Sequence, residues 1–194
     1  MTVKERIPLA EASMLAHQVV KLLEPYANRI EVLGSIRRGR PDVGDIEIGL
    51  MPKIEKRDDP ADLFGDTKIN VNTQLEAVER LIVEGVFEHR PDKNGHNCCG
   101  EGVQRLRYRG FALDIFGCLD PDAWGVTKLI RTGSGDFNKR IVTQKTEGGK
   151  ILPLGMRFQG GRLWDCKRPV RTPEEIDVFN AIGLPYVEPH RRDR

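Results

Sequence analysis

One segment, from Gly34 to Leu50, most constrains what this chain can fold into. It reads GSIRRGRPDVGDIEIGL and crowds glycines, arginines and acids between two apolar runs. The second run alternates strictly, with isoleucine and leucine on one face and Asp45 and Glu47 on the other. Alternation of this kind predicts a half-buried β-strand with two carboxylates on its open face.

Apolar spacing predicts both helices and strands around this segment, and therefore an α+β fold. The predicted elements are helices at 9–23, 73–84, 120–133 and 137–145, a short helix after Thr172, strands at 30–33, 103–110 and 111–119, and a hairpin at 155–164. The strand predicted at 111–119 carries a lone acid, Asp114. Residues 53–70 show no clear period and indicate a surface loop.

Composition describes an ordinary globular chain. It has 194 residues, 39% of them hydrophobic and 31% charged, which is enough for one sizeable domain or two small ones. No apolar run approaches the ~18 residues of a membrane span, and no secretory signal opens the chain. We therefore expect an intracellular, cytoplasmic protein with no membrane partner, with a nuclear or viral setting left open.

Charge is unevenly placed along the chain, although the net charge is only +2. Residues 125–194 hold 14 basic and 8 acidic side chains, whereas residues 1–124 hold 17 and 21. One interpretation is an acidic, metal-holding part followed by a basic part that meets phosphate backbones. Surface fluctuations of this size are also common, so the asymmetry alone decides nothing.

The two strand carboxylates could share metal ions. Side chains at i and i+2 lie on the same face, with Cβ atoms roughly 6.6–7 Å apart. Asp114 on a neighbouring strand would complete a cluster that is costly without positive charge and natural around two Mg²⁺ ions. Such a pair of ions supports phosphoryl or nucleotidyl transfer. Two solvent-facing acids on an edge strand remain the simpler interpretation of this pattern taken alone.

The turn before the strand has the groups that bind phosphate. Backbone N–H groups at Gly34 and Ser35, with the serine hydroxyl, can surround phosphate oxygens. Arg38 adds a guanidinium that binds phosphate through two parallel hydrogen bonds. Gly44 leaves no side chain between these groups and the carboxylates. The segment therefore has the parts of a site for a magnesium-bound nucleotide.

These residues resemble a known signature. GSIRRGRPDVGDIE is similar to the nucleotidyltransferase motif of the X-family DNA polymerases, the group that includes DNA polymerase beta. RIPLAEA resembles the family's RIPR-E motif, RTGSGDFNKR its T-G-S-x-x-F-N-K motif, and IGLPYVEPHRR its G-L-x-Y-x-E-P-x-x-R motif. The resemblance implies a palm, a mixed sheet flanked by helices, at 1–122. A small C-terminal α+β subdomain that binds nucleotide and DNA would follow at 123–194.

The resemblance also implies roles for individual residues. Asp45, Glu47 and Asp114 would hold two Mg²⁺ ions, or Mn²⁺, and Asp114 would orient or help deprotonate the primer 3′-hydroxyl. The other implied site residues are Arg6, Gly34, Ser35, Arg38 and Gly44 at the triphosphate, Thr132, Gly133 and Ser134 in the turn under the sugar, Asn138 at the incoming base, Lys139 near the templating base and Arg140 on DNA.

Several positions depart from the family pattern. Glu47 stands where polymerases of this family usually have Asp. Ile130 and Arg131 replace a Tyr-Phe pair that acts as a sugar gate, so we expect weaker rejection of ribonucleotides. Val142 replaces an arginine that follows the template minor groove, which favours low fidelity. Lyase and helix-hairpin-helix regions are missing from the sequence, as in the smallest viral members, so removal of a deoxyribose phosphate is not expected.

Three functional hypotheses follow. The first is a monomeric DNA-directed DNA polymerase that fills short gaps in primer-template or gapped DNA with dNTPs. The second is a template-independent nucleotidyltransferase acting on RNA, a protein or a small molecule. The third is a DNA-binding scaffold with a decayed site, against which the intact trio of acids speaks. A zinc site at His96, Cys98, Cys99 and Cys118 is disfavoured because no C-x-x-C pair exists.

Overall fold

The structure is a computed structural model of the chain, and it describes residues 5–62, 66–144 and 151–193. The strands are β1 (Ile7–Pro8), β2 (Ala27–Val32), β3 (Asp42–Val43), β4 (Ile46–Pro52), β5 (Ile54–Asp58), β6 (Lys68–Asn72), β7 (Phe87–His89), β8 (Val103–Tyr108), β9 (Phe111–Gly117), β10 (Met156–Gln159), β11 (Arg162–Asp165) and β12 (Arg168–Val170). The helices are α1 (Leu9–Leu23), α2 (Gly34–Arg37), α3 (Thr73–Val83), α4 (Trp124–Thr132), α5 (Gly135–Val142) and α6 (Glu175–Ala181).

A mixed five-stranded sheet organises the first part of the chain, in the order β2-β4-β9-β8-β7. Strands β4 and β9 run parallel, and the other neighbours are antiparallel. Helix α1 packs against β2 and β4, and α3 packs against β7. The predicted α+β class, with a mixed sheet flanked by helices, is therefore confirmed.

The predicted alternation of β4 is confirmed, with one addition. Ile46, Ile48 and Leu50 are fully buried in the core that includes the apolar stripe of α1. Gly49, on the other face, is buried as well. A Cβ atom there would lie 2.6 Å from Leu33 Cδ1, a collision, and 3.3 Å from the Trp124 ring, a tight contact. The strand needs a glycine at this point because α4 covers the part of its second face that lies beyond Glu47.

A second hydrophobic core forms around α4, α5, α6 and the antiparallel sheet β10-β11-β12. Its buried members are Val126, Leu129, Phe137, Ile141, Leu152, Leu163, Val178, Phe179 and Ile182. A small cluster of Cys118, Ala123 and Trp124 lies between the two cores. Two cores on either side of residues 118–124 agree with a division at 122/123, which stays a prediction. No helix within the described ranges is long and apolar enough to cross a membrane.

The interpretation of residues 53–70 as a loop is wrong. Strands β5 and β6 form an antiparallel hairpin there. The residues of β5 are exposed on both faces, so no alternation of polar and apolar residues marks them. Ion pairs from Arg57 to Glu55 and Glu76 accompany the hairpin instead. Strands without a buried face leave no hydrophobic period in the sequence.

Two predicted helices also have different bounds. The helix expected at 120–133 begins with a 3₁₀ turn at Pro121–Ala123, and α4 follows from Trp124. The helix expected at 137–145 begins earlier, at Gly135, because the Ser134 hydroxyl caps it by accepting a hydrogen bond from the Phe137 N–H. Residue 145 lies outside the described residues.

A buried ion cluster joins the two parts of the chain. Glu175, at the start of α6, accepts hydrogen bonds of 2.6 Å from both Arg37, at the end of α2, and Arg192. The Tyr186 hydroxyl donates a further bond of 2.9 Å to the same carboxylate. The Arg37, Glu175 and Arg192 side chains are 16%, 4% and 0% exposed. A single carboxylate thus holds two arginines that lie far apart in sequence.

The arginines control the titration of this carboxyl. Burial alone would raise the pKa of Glu175, but hydrogen bonds and charges from Arg37 and Arg192 outweigh burial and lower the pKa to about 2. A carboxyl whose folded-state pKa is depressed stabilises the fold above its ordinary value of 4.5. That contribution is lost as the pH falls from about 4.5 towards 2.

We expect Glu175→Gln to lower the free energy of unfolding at pH 7 by about 3 kcal/mol, because two buried guanidinium groups lose their counter-charge. The deficit relative to wild type should shrink as the pH falls from 5 to 3, since Glu175 of the unfolded wild-type chain takes up a proton near its ordinary pKa of 4.5 while the folded carboxylate stays charged. Urea denaturation across this pH range measures both effects. Glu55→Gln, at an exposed ion pair, is the control and should change little. A deficit that stays constant with pH would contradict the assignment.

Candidate active site

The parallel pairing of β4 and β9 brings two of the predicted acids together. Glu47 lies directly opposite Asp114 in the register, so both side chains project from the same face of the sheet. Asp45 comes immediately before β4, at the same edge. The predicted position of Asp114 on the strand beside Glu47 is thus confirmed, while metal ligation by the three acids stays a prediction.

Negative charge at this edge of the sheet exceeds what its neighbours compensate. Burial, followed by repulsion from Asp45 and Asp114, raises the pKa of Glu47 to about 7. The positive charges of Arg38 and Arg131 oppose this shift but do not overcome it. Buried carboxylates with unbalanced negative charge are suitable ligands for a hard divalent cation such as Mg²⁺ or Mn²⁺.

The carboxylates nevertheless face different partners. The Arg90 guanidinium donates to Asp114 Oδ1, and its Nε donates to the Leu106 carbonyl at 3.3 Å. Glu47 turns the other way, towards Gly34, where a Cβ atom would lie 1.8 Å from Glu47 Oε2. For this reason, residues 5–62, 66–144 and 151–193 contain no ready-made group of three His, Cys, Asp or Glu side chains that could hold a metal ion. Binding a cation would require these side chains to turn towards each other.

A cavity of about 750 Å³ opens beside the carboxylates, and we call it the phosphate cavity. The predicted site residues that line it are Arg6, Ser35, Arg38, Gly44, Asp45, Glu47, Ser134, Lys139 and Arg140. Cationic side chains outnumber acidic ones in its lining. The Ser35 hydroxyl is buried and has no hydrogen-bond partner among the described residues. Buried polar atoms normally have partners, so this hydroxyl is available to a ligand.

Local pairing explains how two arginines reach the phosphate cavity. Strands β1 and β3 pair with Ile7 opposite Val43, which places Arg6 beside the turn that leads to the carboxylates. Arg6 Nη2 donates to the Asp42 carbonyl at 2.7 Å. Arg38 follows the last residue of α2 and donates its Nη1 to the Thr132 carbonyl. The Gly-Ser turn predicted at residues 34–35 is the first turn of α2.

Thr132, Gly133 and Asn138 do not line the phosphate cavity, although they flank its lining residue Ser134 in the chain. Thr132 is fully buried, and its hydroxyl accepts a bond of 2.6 Å from Arg37. The peptide bond between Gly133 and Ser134 is cis, and the Ser134 hydroxyl donates to the Arg192 carbonyl at 2.9 Å. Asn138 donates its Nδ2 to the Ile130 carbonyl at 2.7 Å. Its Oδ1 is buried and has no hydrogen-bond partner in the described structure.

Four lining residues escaped the sequence analysis. They are Arg40, Asp136, Arg192 and Asp193. Arg192 ends the E-P-x-x-R motif, so that motif could have revealed it. Nothing in the sequence distinguishes Asp193 from any other acid in a polar segment, because its position depends on contacts made across more than 150 residues.

Arg131 occupies the other side of the carboxylates. Its guanidinium lies 4.0 Å from the centre of the Phe116 ring, a distance typical of a cation–π contact. Burial lowers the pKa of Arg131, while the negative charges of Glu47 and Asp114 oppose that shift. The position predicted to replace a sugar gate therefore holds a positive charge close to the acids.

The weaker candidates have structural roles. Cys118 is buried and donates to the Asp120 carbonyl, while Cys99 lies 3.4 Å from His89, so the four cysteine and histidine positions considered for zinc do not converge. Tryptophan rings can stack on nucleic-acid bases, but Trp124 is fully buried under Arg29 and packs in the interior. Trp164 donates its indole N–H to the Gln159 carbonyl at 3.1 Å.

We expect Gly34→Ala to lower the free energy of unfolding by about 1 kcal/mol more than Gly39→Ala. Both glycines have positive φ, at 64° and 70°, so both substitutions carry the same conformational cost. Only the Cβ atom at residue 34 collides with Glu47. Urea denaturation of both variants, and of Gly34→Ala combined with Glu47→Ala, tests this contact. Additive effects in the double variant would contradict it.

Comparison with known proteins agrees with this geometry. A family model, that of the DNA polymerase beta thumb, matches residues 128–193. DNA polymerase lambda from Rattus norvegicus is 26% identical over 200 residues, which cover 97% of this chain. The chain spans about a third (33%) of the length of that relative. These similarities, together with the order of the motifs and the mixed sheet that carries the paired acids, support a relationship to the X-family polymerases.

Proposed function

We propose that this chain is a DNA-directed DNA polymerase that fills short gaps with dNTPs by two-metal nucleotidyl transfer. The observation that carries the proposal is the pair of Glu47 and Asp114, set side by side by the β4–β9 register at the edge of a cationic cavity. Similarity to DNA polymerase lambda along nearly the whole chain supports a templated reaction on DNA.

The phosphate cavity would bind the triphosphate of the incoming nucleotide. Its supporting features are the unpartnered Ser35 hydroxyl and the guanidinium groups of Arg6 and Arg38. Guanidinium groups bind phosphate oxygens through paired, charge-assisted hydrogen bonds. Gly44 lines the cavity beside the acids and leaves room for the phosphates to approach them.

Asp45, Glu47 and Asp114 would hold two Mg²⁺ ions, or Mn²⁺ in their place. The raised pKa of Glu47 supports this role, because burial, followed by repulsion from Asp45 and Asp114, disfavours a charged form that a bound cation would stabilise. When bound, such ions activate an attacking oxygen and stabilise the leaving one. Asp114 would orient the primer 3′-hydroxyl or accept its proton, and Arg90 would keep one carboxylate oxygen of Asp114 in place.

Residues 123–194 would bind the sugar, base and DNA. Thr132, Gly133 and Ser134 form the turn proposed to lie under the sugar, and the unpaired Asn138 Oδ1 is positioned on α5 behind it. The same helix carries exposed basic residues at 139 and 140, which would contact the template strand. We propose that the protein does this as a monomer whose palm is formed by residues 1–122.

Primer extension on a one-nucleotide gap with Mg²⁺ tests the proposal. The wild type should add the complementary dNTP, and Asp45→Asn and Asp114→Asn should each lower the rate by more than about 100-fold, because each removes a direct metal ligand. Asp58→Asn, on the exposed hairpin, is the control and should keep wild-type activity. No incorporation by the wild type would refute the proposal. Untemplated labelling of RNA, a protein or a small molecule would favour the template-independent alternative.

Sugar selectivity tests the role of Arg131. We expect the wild type to incorporate ribonucleotides readily, since an arginine stacked on Phe116 does not supply the aromatic ring of a sugar gate. Arg131→Phe should raise the dNTP:rNTP ratio of kcat/KM by at least about tenfold, equivalent to about 1.4 kcal/mol. Arg131→Lys, which keeps the charge, should leave the ratio near that of the wild type. An unchanged ratio in Arg131→Phe would place sugar discrimination elsewhere.

A further inference from the structure

An acidic side chain of the protein itself binds the arginines of the phosphate cavity. Arg38 Nε lies 3.1 Å from Asp193 Oδ1 and 3.2 Å from its Oδ2. Arg40 Nη1 lies 3.6 Å from the same carboxylate. The Arg38 and Asp193 side chains are only 14% and 18% exposed, so solvent screens their attraction weakly. The carboxylate therefore occupies part of the surface that a phosphate group would contact.

The segment that carries Asp193 is held firmly in place. The neighbouring Arg192 is fully buried, and its guanidinium lies between 5.3 and 5.7 Å from the ring centres of Phe137, Phe179 and Tyr186. Its carbonyl accepts the hydrogen bond from Ser134, another residue that lines the phosphate cavity. Because residue 192 points inward and is fixed, residue 193 is directed towards Arg38.

We propose that Asp193 is a specificity-determining residue, an internal competitor that a ligand must displace from Arg38 and Arg40. A singly charged anion that replaces the Asp193 carboxylate gains no electrostatic attraction to the two arginines, since one negative charge takes the place of another. A polyphosphate brings several charges and also reaches Ser35, so it binds in spite of the exchange. Discrimination of this kind works by making the binding free energy of the wrong ligand less favourable. The inference rests on the proposed function, because it takes this cavity as the triphosphate site.

Asp193 differs from the other acids around the phosphate cavity because a ligand would have to displace it from the arginines. Asp136 also lines it, but the described residues give it no ion pair with Arg38 or Arg40. Removing the charge of Asp136 or that of Asp193 would weaken the general repulsion of anions by a similar amount. Only the removal of Asp193 would also release the two guanidinium groups before the ligand arrives. A comparison of the two variants therefore separates competition from simple electrostatics.

Isothermal titration calorimetry of the whole chain with inorganic tripolyphosphate, without metal or nucleotide, tests the inference. We expect Asp193→Asn to bind about tenfold more tightly than the wild type, the effect of freeing a charge-assisted pair. Asp136→Asn should bind no more than about twofold more tightly. Inorganic phosphate should give measurable heat with Asp193→Asn alone. A gain in affinity cannot come from damage to the fold, so instability would not imitate this result.

Two outcomes would overturn the inference, and they have different consequences. Equal affinities of Asp193→Asn and Asp136→Asn for tripolyphosphate would refute competition by Asp193 and leave the phosphate cavity as the triphosphate site. Absence of tripolyphosphate binding by the wild type and by both variants would refute the inference together with the proposed role of the cavity.

Discussion

Burial of the Glu175 carboxylate between two arginines is the interaction on which the site depends. It turns Arg37 inward at the end of α2 and Arg192 inward near the end of the described chain. The next residue in each case, Arg38 and Asp193, then faces the phosphate cavity. The composition of the cavity thus depends on the contact that its lining residue Arg192, with Arg37, makes with Glu175. A buried charge is tolerable only when it is paired, so this cluster joins the two parts in a defined way.

Two glutamates in this protein show how opposite environments produce opposite chemistry. Glu175 and Glu47 are both largely buried, which by itself raises the pKa of each. Arginines surround Glu175 and lower its pKa to about 2, whereas acids surround Glu47 and leave its pKa near 7. The first carboxylate is satisfied by the protein. The second is buried beside two acids, and Arg38 and Arg131 do not offset the cost of its charge.

Local patterns in the sequence were sufficient to predict the helices and strands that have one buried face. Helix α1 and strand β4 carry a period that burial imposes, and both lie where that period predicts. The hairpin of β5 and β6 was missed because neither strand packs on a core, so its residues were free of any such period. Arg37 and Arg40 had no predicted role, since charged residues in a turn look alike until their partners are known.

Residues only a few positions apart were enough to predict the α+β class, to set Asp45 and Glu47 two positions apart at the start of β4, and to suggest phosphate binding by the turn before them. Only the folded chain shows the β4–β9 register that sets Asp114 directly opposite Glu47, the contact of Arg90 with Asp114, and the contact of Asp193 with Arg38. These contacts join residues that are 24 to 155 positions apart. Their partners are selected by strand register and by the burial of charge, which no local pattern records.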